Sequence, residues 1–252
     1  MTRADLSGRR ILVTGGSSGI GAAAAEALAG RGASVAVSGR DGKALAAVAG
    51  RTGGPTVVAD LRVAGAADHV VAQAADNLGG LDTVVYSAGA GWAGPICEMQ
   101  AGDIDALIDL NLRAPMQMIR AALPRLMTAR GQVVLIGSIA GLIGVPREVV
   151  YSATKAGLAG YADALRAELC CAEVTVSLIS PAAVATKFFD RRNRPYERTW
   201  PRPMPVERVA AAVVDCVAVR GSDRVVPSWM TVPARLQGVA PHVYRLLAGR
   251  FA

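Results

Sequence analysis

Tyr151 and Lys155 stand four residues apart in the run YSATKAGLAGYADAL, which is otherwise rich in alanine and glycine. Four residues is about one helical turn, so in a helix the phenol and the ammonium share a face. Only three lysines occur in 252 residues, which makes this placement informative. A free tyrosine titrates near ~10. A neighbouring ammonium favours the phenolate and brings that value toward the range useful to a general acid or base. A second group of residues suits an anion. In ILVTGGSSGIGAAAAEAL, Gly15, Gly19 and Gly21 lie between an apolar, β-branched run and an alanine-rich run. Such glycines allow a tight turn and close backbone approach, and the free N–H groups at the helix start face a phosphate.

The elements that position these groups follow from periodicity. RILVT (10–14), ASVAVS (33–38), PTVVA (55–59), DTVVY (82–86), GQVVLIG (131–137), VTVSLIS (174–180) and a short run near 224–226 read as strands. Most are apolar throughout, as expected of parallel strands covered on both faces. Helical patterns fall at about 19–31, 41–50, 64–78, 102–129 (broken near Leu112), 151–171 and 205–219. Alternating strands and helices predict an α/β, doubly wound parallel sheet of about seven strands with right-handed crossovers. Neither an internal repeat nor a linker interrupts residues 1–252, so a single domain is expected, ending in an irregular tail over 229–252.

The motifs TGGSSGIG (14–21), Ser138 and YSATK (151–155), in this order and spacing, resemble the short-chain dehydrogenase/reductase family over residues 8–227. The resemblance implies a Rossmann-type fold, a nicotinamide cofactor and interconversion of a carbonyl and an alcohol. It also implies roles. Tyr151 is the acid/base, Lys155 tunes it and holds the nicotinamide ribose, and Ser138 binds the carbonyl oxygen. Asn111, in DLNLRAP, keeps a water in a proton relay to Lys155. On the same likeness the cofactor is held by Gly15, Ser17, Ser18, Gly19, Ile20 and Gly21 of the loop, and by Arg40, Asp60 and Leu61 around the adenosine. Ala88, Gly89, Tyr151, Lys155, Pro181, Val184 and Thr186 complete that set. The helix carrying Tyr151 forms the main contact of a homodimer or homotetramer in the family, and its small residues Ser152, Ala153, Ala156 and Gly157 allow close approach.

Two departures stand out. Tyr86-Ser87-Ala88-Gly89 replaces the family's Asn-Asn-Ala-Gly, and Pro181-Ala182 replaces its Pro-Gly. The first loses an asparagine that steadies the central strands. The second adds a Cβ and disfavours positive φ. As to the cofactor, an acid at the end of the second strand binds the 2′-hydroxyl of NAD, whereas an arginine accepts the 2′-phosphate of NADP. Here Gly39 occupies the acid position, Arg40 follows, and Asp41 reads as a helix N-cap. NADP(H) is therefore favoured, with NAD(H) as the rival.

Charge is unevenly spread. Residues 1–186 carry 15 basic and 15 acidic side chains; residues 187–252 carry 12 and 5, which supplies the whole net charge of +7. The segment 184–206, placed as a substrate lid, mixes Phe188, Phe189, Tyr196 and Trp200 with Lys187, Arg191, Arg192, Arg194, Arg198 and Arg202. With Trp92, Leu142, Ile143 and Val145 it suggests a bulky hydrophobic small-molecule substrate, acidic or carrier-bound if the cations engage it. Two histidines and four cysteines without CxxC spacing speak against a metal or a disulfide framework. No nucleic-acid module is recognisable, and the neutral first 186 residues argue against nucleic acid as a partner. The apolar run 131–146 is short of the roughly 18 residues needed to cross a bilayer, and the start MTRADLSGRR lacks a signal-peptide core. A cytoplasmic enzyme is expected. A nucleotide-bound sensor or scaffold without turnover is the alternative.

Overall fold

In the computed structural model, which describes residues 5–192, 194–197, 201–221 and 223–248, the seven predicted strands form one sheet. They are β1 (Arg10–Thr14), β2 (Ser34–Gly39), β3 (Thr56–Val58), β4 (Thr83–Tyr86), β5 (Gln132–Ile136), β6 (Thr175–Pro181) and β7 (Arg224–Val226). All neighbours are parallel, in the order β3-β2-β1-β4-β5-β6-β7. The connecting helices are α1 (Gly19–Ala29), α2 (Gly42–Thr52), α3 (Ala66–Leu78), α4 (Ala101–Ile108), α5 (Ala114–Thr128), α6 (Ala140–Ile143), α7 (Val149–Leu169) and α8 (Val206–Val219), followed by α9 (Thr231–Val239) and α10 (Pro241–Ala248).

Successive strand residues face opposite layers. Leu12, Val84, Val133, Leu135 and Val176 pack against α3, α5 and α7, whereas Ile11, Val13, Val85, Val134 and Ile179 pack against α1, α2 and α8. Both sets are buried, which explains the unbroken apolar runs. The molecule is thus a three-layer, single-domain Rossmann-type α/β fold.

One expectation changes and two details are added. The tail over 229–252 is not irregular as far as it is described: α9 and α10 occupy 231–248. Pro241 separates them by taking the first position of α10, where its missing N–H is harmless. The loop after β5 contains the short helix α6. The expected break near Leu112 is a π-helical turn, Asp109–Arg113, between α4 and α5. Its cause is Pro115, which has no N–H and whose ring crowds the carbonyl four residues back. The N–H of Ala114 turns to Asp109, so the carbonyl of Leu110 loses both its α and its π donor. The buried Tyr86 hydroxyl donates to it at 2.8 Å.

No helix among the described residues is long and apolar enough to cross a membrane. Those residues also hold no group of His, Cys, Asp and Glu suited to a metal ion.

Candidate active site

Between β1 and β4 the strand order reverses, and the chain leaves the two strands on opposite faces of the sheet. A crevice opens there at the carboxyl ends. Its volume is about 380 Å³. Every cofactor position named from the sequence lines it except Gly21, which lies beneath. A Cβ on Gly21 would overlap the carbonyl of Gly15, and one on Gly15 (φ +65) would stand 2.8 Å from the backbone of Ala88. These two glycines let β1, α1 and the end of β4 converge. Ser18 precedes α1 without capping it by its side chain. The hydroxyl and the first N–H groups of α1 are therefore directed to the crevice, as an anion site requires.

The departures from the family pattern are accommodated. Thr14 Oγ1 accepts from the N–H groups of Ser87 and Ala88 at 3.1 and 3.2 Å. With Tyr86 on Leu110, this ties the end of β4 to β1 and to the π-helical turn without the asparagine. Ala182 has no positive φ; its N–H donates to Val226 at 2.8 Å. No positive φ is therefore required at Ala182, while its Cβ remains at the crevice wall.

Around the adenosine end, Asp41 caps α2, accepting from the N–H of Ala44 at 3.0 Å. That leaves Arg40 as the free charge beside Gly39. A Cβ on Gly39 would sit 3.3 Å from the Ser17 hydroxyl. Asp60 is engaged by Arg62 at 2.6 Å, and this pairing, with help from Arg40, holds its carboxyl down at about 2.

Ser138 follows β5, while Tyr151 and Lys155 project from the first turns of α7 toward it. Lys155 Nζ donates to the carbonyl of Ile136 at 2.9 Å and lies 5.8 Å from the centre of the Tyr151 ring. Burial pulls the Lys155 ammonium down to about 8. Burial likewise pushes the Tyr151 phenol up to about 12; a hydrogen bond with Ser138 opposes this, Glu148 adds to it and Arg192 opposes it. The expected lowering of Tyr151 by Lys155 does not accompany this arrangement. The ammonium is spent on Ile136, and desolvation of the phenolate dominates.

Asn111 is fully buried in the π-helical turn rather than exposed in the crevice. Its Oδ1 accepts from the N–H of Ala90 at 2.9 Å, and its Nδ2 donates to the carbonyl of Ala90 at 2.9 Å and to Thr154 Oγ1 at 3.3 Å. The side chain clamps the chain just after Gly89 and ties it to α7. These contacts set the position of Gly89 and Lys155.

The segment 184–206 crosses the crevice. Its ends meet in a parallel bridge, Val184 with Met204. From it a run of rings descends: Phe188 lies 5.7 Å from Tyr151, Phe189 lies 5.6 Å from Phe188, and Tyr196 lies 4.8 Å from Phe189. Ile143 and Val145 line the crevice as expected. Leu142 does not, and Trp92 faces a shallow depression beside it. Arg198 and Trp200 lie outside the described residues, as do residues 249–252. The arginines are not one patch. Arg192 is buried against Glu148 at 2.5 Å and stacks on Phe189, Arg194 pairs with Glu98 at 3.0 Å, and Arg191 reaches Ser18 at 3.2 Å. Sequence reasoning missed Glu148; its one signal is an acid three residues before Tyr151.

The family model for short chain dehydrogenases matches residues 9–197. A 3-oxoacyl-[acyl-carrier-protein] reductase from Rickettsia bellii is 32% identical over 204 residues, covering 80% of this chain and 83% of that protein. Among solved structures, a dehydrogenase/reductase from Sinorhizobium meliloti superposes with a TM-score of 0.79 at 30% identity, covering 90% of this chain and 97% of that one. A short chain dehydrogenase from Burkholderia cenocepacia in complex with NADP gives 0.79 at 29% identity, covering 87% and 96%.

Proposed function

The chain belongs to the short chain dehydrogenase family and is an oxidoreductase of that type, and on that premise we propose that it interconverts a ketone and a secondary alcohol on a bulky, largely apolar small molecule, with NADP(H) favoured over NAD(H). The observation that carries this reading is the meeting of Ser138, Tyr151 and Lys155 in one crevice with the loop at Ser18. Hydride chemistry and an acid/base are supported in the same space.

The residues present fit a dinucleotide: uncapped N–H groups at α1, glycines at the narrowest approach, and Arg40 at the end of β2. When bound, the cofactor supplies the hydride. Ser17, Ser18 and the α1 terminus would hold its phosphates, Arg40 a 2′-phosphate, and Lys155 the ribose beside Gly89. In reduction, the substrate oxygen would lie between Ser138 and Tyr151. Ser138 orients it by a hydrogen bond, and Tyr151 delivers a proton from its hydroxyl to that oxygen as it becomes an alkoxide. The tyrosine carries its proton at neutral pH, as a phenol does at its ordinary value, and so holds the proton that reduction requires. Asn111 positions, through Ala90 and Thr154, the two elements that carry Gly89 and Lys155.

The segment 184–206 serves as the substrate lid, and its rings supply an apolar wall. An acidic or carrier-bound substrate remains part of this reading through Lys187, which is exposed and lines the crevice. It is supported by likeness to a relative named for an acyl-carrier substrate. Association into a homodimer or homotetramer belongs to it too, since Met116 and Val149 are exposed on α5 and α7.

The test is a panel of ketones and alcohols with each cofactor, followed by nicotinamide absorbance, for wild type and Tyr151→Phe. The expected result is turnover with NADP(H) that falls at least ~10²-fold in the variant. Tight cofactor binding with no turnover across the panel would favour a nucleotide-bound sensor instead.

A further inference from the structure

Three arginines of the segment 184–206 have distinct fates, and one of them is unaccounted for. Arg192 is neutralised by Glu148, and Arg194 by Glu98. Arg191 has no carboxylate partner among the described residues. Its guanidinium instead crosses the crevice and donates from Nη1 to the Ser18 hydroxyl at 3.2 Å. Ser18 belongs to the loop that offers N–H groups to phosphate, and its hydroxyl is not used to cap α1.

A second contact brings the same two pieces of chain together. A Cβ on Gly19, the residue after Ser18, would touch Thr186 at 3.5 Å. Gly19 itself has φ +56. The base of the segment is thus in near contact with the loop, and Arg191 closes the far side. A cation with no carboxylate partner among the described residues, an uncapped helix start and a hydroxyl that accepts only from that cation meet at one point. Each lacks an anion, and one group of phosphate oxygens would satisfy all three.

We propose that Arg191 is a phosphate-binding residue for the dinucleotide, supplied by the lid, so that cofactor binding holds the lid over the crevice. This rests on the reading of the crevice as a dinucleotide site. Arg191 engages the pyrophosphate, because Ser18 stands at the start of α1, while Arg40 is at the end of β2 where the 2′-phosphate is expected. The lid then closes on the cofactor before substrate enters. The rings of Phe188 and Phe189, backed by Arg192, complete the wall that substrate meets.

The test is calorimetric binding of NADP⁺, NAD⁺ and adenosine 2′-monophosphate to the full chain, wild type against Arg191→Met. Arg202→Met serves as a control of equal charge change, since Arg202 is exposed on the same segment and lines no part of the crevice. Loss of a charge-assisted contact should weaken NADP⁺ and NAD⁺ alike by about ten- to a hundredfold, with adenosine 2′-monophosphate unchanged. The control should stay within about twofold of wild type. Weakening of NADP⁺ and adenosine 2′-monophosphate, with NAD⁺ unchanged, supports Arg191 as a phosphate ligand and assigns it to the 2′-phosphate. Unchanged affinity for all three, or equal weakening in the Arg202 control, overturns the proposal. Wild type that binds neither dinucleotide overturns the parent reading instead. As a second readout, NADP⁺ should protect the Phe188 and Phe189 peptide bonds from chymotrypsin in wild type and far less in Arg191→Met.

Discussion

Arg192 and Glu148 form a buried ion pair at 2.5 Å that joins the segment over the crevice to the residue preceding α7, the helix of Tyr151 and Lys155. The arginine also donates to the carbonyls of Arg194 and Pro195 and lies 4.7 Å over the Phe189 ring. Its fork is therefore well satisfied, which a buried pair requires.

Removing one partner strands the other charge. Arg192→Met and Glu148→Leu should each cost about 3 kcal/mol in urea unfolding, and the double variant should recover much of that loss. Additive losses in the double variant would show that the two residues stabilise the protein independently.

Lys155 gives a pH-dependent stability whose sign is set by burial. Its folded-state value of about 8 lies below the ordinary 10.5. Between these values the unfolded chain binds more protons, so wild-type stability rises with pH through that window. Below pH 8 both states are protonated, and the full cost of the buried charge is present. Lys155→Met should therefore unfold at a higher temperature than wild type at pH 7, by a few degrees for ~1–3 kcal/mol. The gap should close as pH climbs from 8 toward 10. Thermal scans at pH 7, 8, 9 and 10 read it; a gap independent of pH would contradict the assignment.

Cofactor preference should reside in Arg40 and not in Asp41. A charge-assisted contact to phosphate is worth about 1.5–3 kcal/mol, so Arg40→Ala should weaken NADP⁺ at least tenfold and leave NAD⁺ nearly unchanged. Asp41→Ala should cost about 1 kcal/mol of stability through the lost cap on Ala44 and leave both affinities in place. Selective loss of NAD⁺ binding in Asp41→Ala would reverse the assignment.

Tyr86 replaces a missing backbone donor. Tyr86→Phe should leave the Leu110 carbonyl buried without a partner and cost about 1–3 kcal/mol. The effect should extend to the neighbouring Asn111 as faster amide exchange at Ala90, whose N–H that side chain holds. Unaltered exchange at Ala90 would separate Tyr86 from the clamp.

The sheet was readable because its strands are covered on both faces, so Leu12 and Val13, or Val84 and Val85, are equally apolar though they face opposite layers. Asp41 as a cap was readable because capping is local. The site was readable where motif and turn coincide, at Gly15 to Gly21 and at Tyr151 and Lys155. What escaped depends on contacts distant in sequence. Nothing near Arg192 reveals that it meets Glu148, 44 positions away. Nothing near Lys155 reveals that Ile136 takes its ammonium, which is why its effect on Tyr151 was misjudged. The π-helical turn was half visible: the helical pattern over 102–129 breaks near Leu112, but its repair by Tyr86 is a tertiary contact.

The bridge between Val184 and Met204 has a consequence for how this enzyme could change over time. Ala185 donates to Met204, and Met204 donates to Ala183, at 2.8 and 2.9 Å. The feet of the lid are thus stapled by backbone alone, whatever side chains lie between them. Lengthening such a loop is cheap, at about 0.6 kcal/mol for each doubling. Apart from Thr186 and Arg191, which face the crevice, and Arg192, which holds Glu148, the stretch from Thr186 to Pro203 is therefore open to replacement. New substrates can be explored there by insertion and replacement, while the sheet, the glycine loop and the Tyr151–Lys155 turn are inherited unchanged.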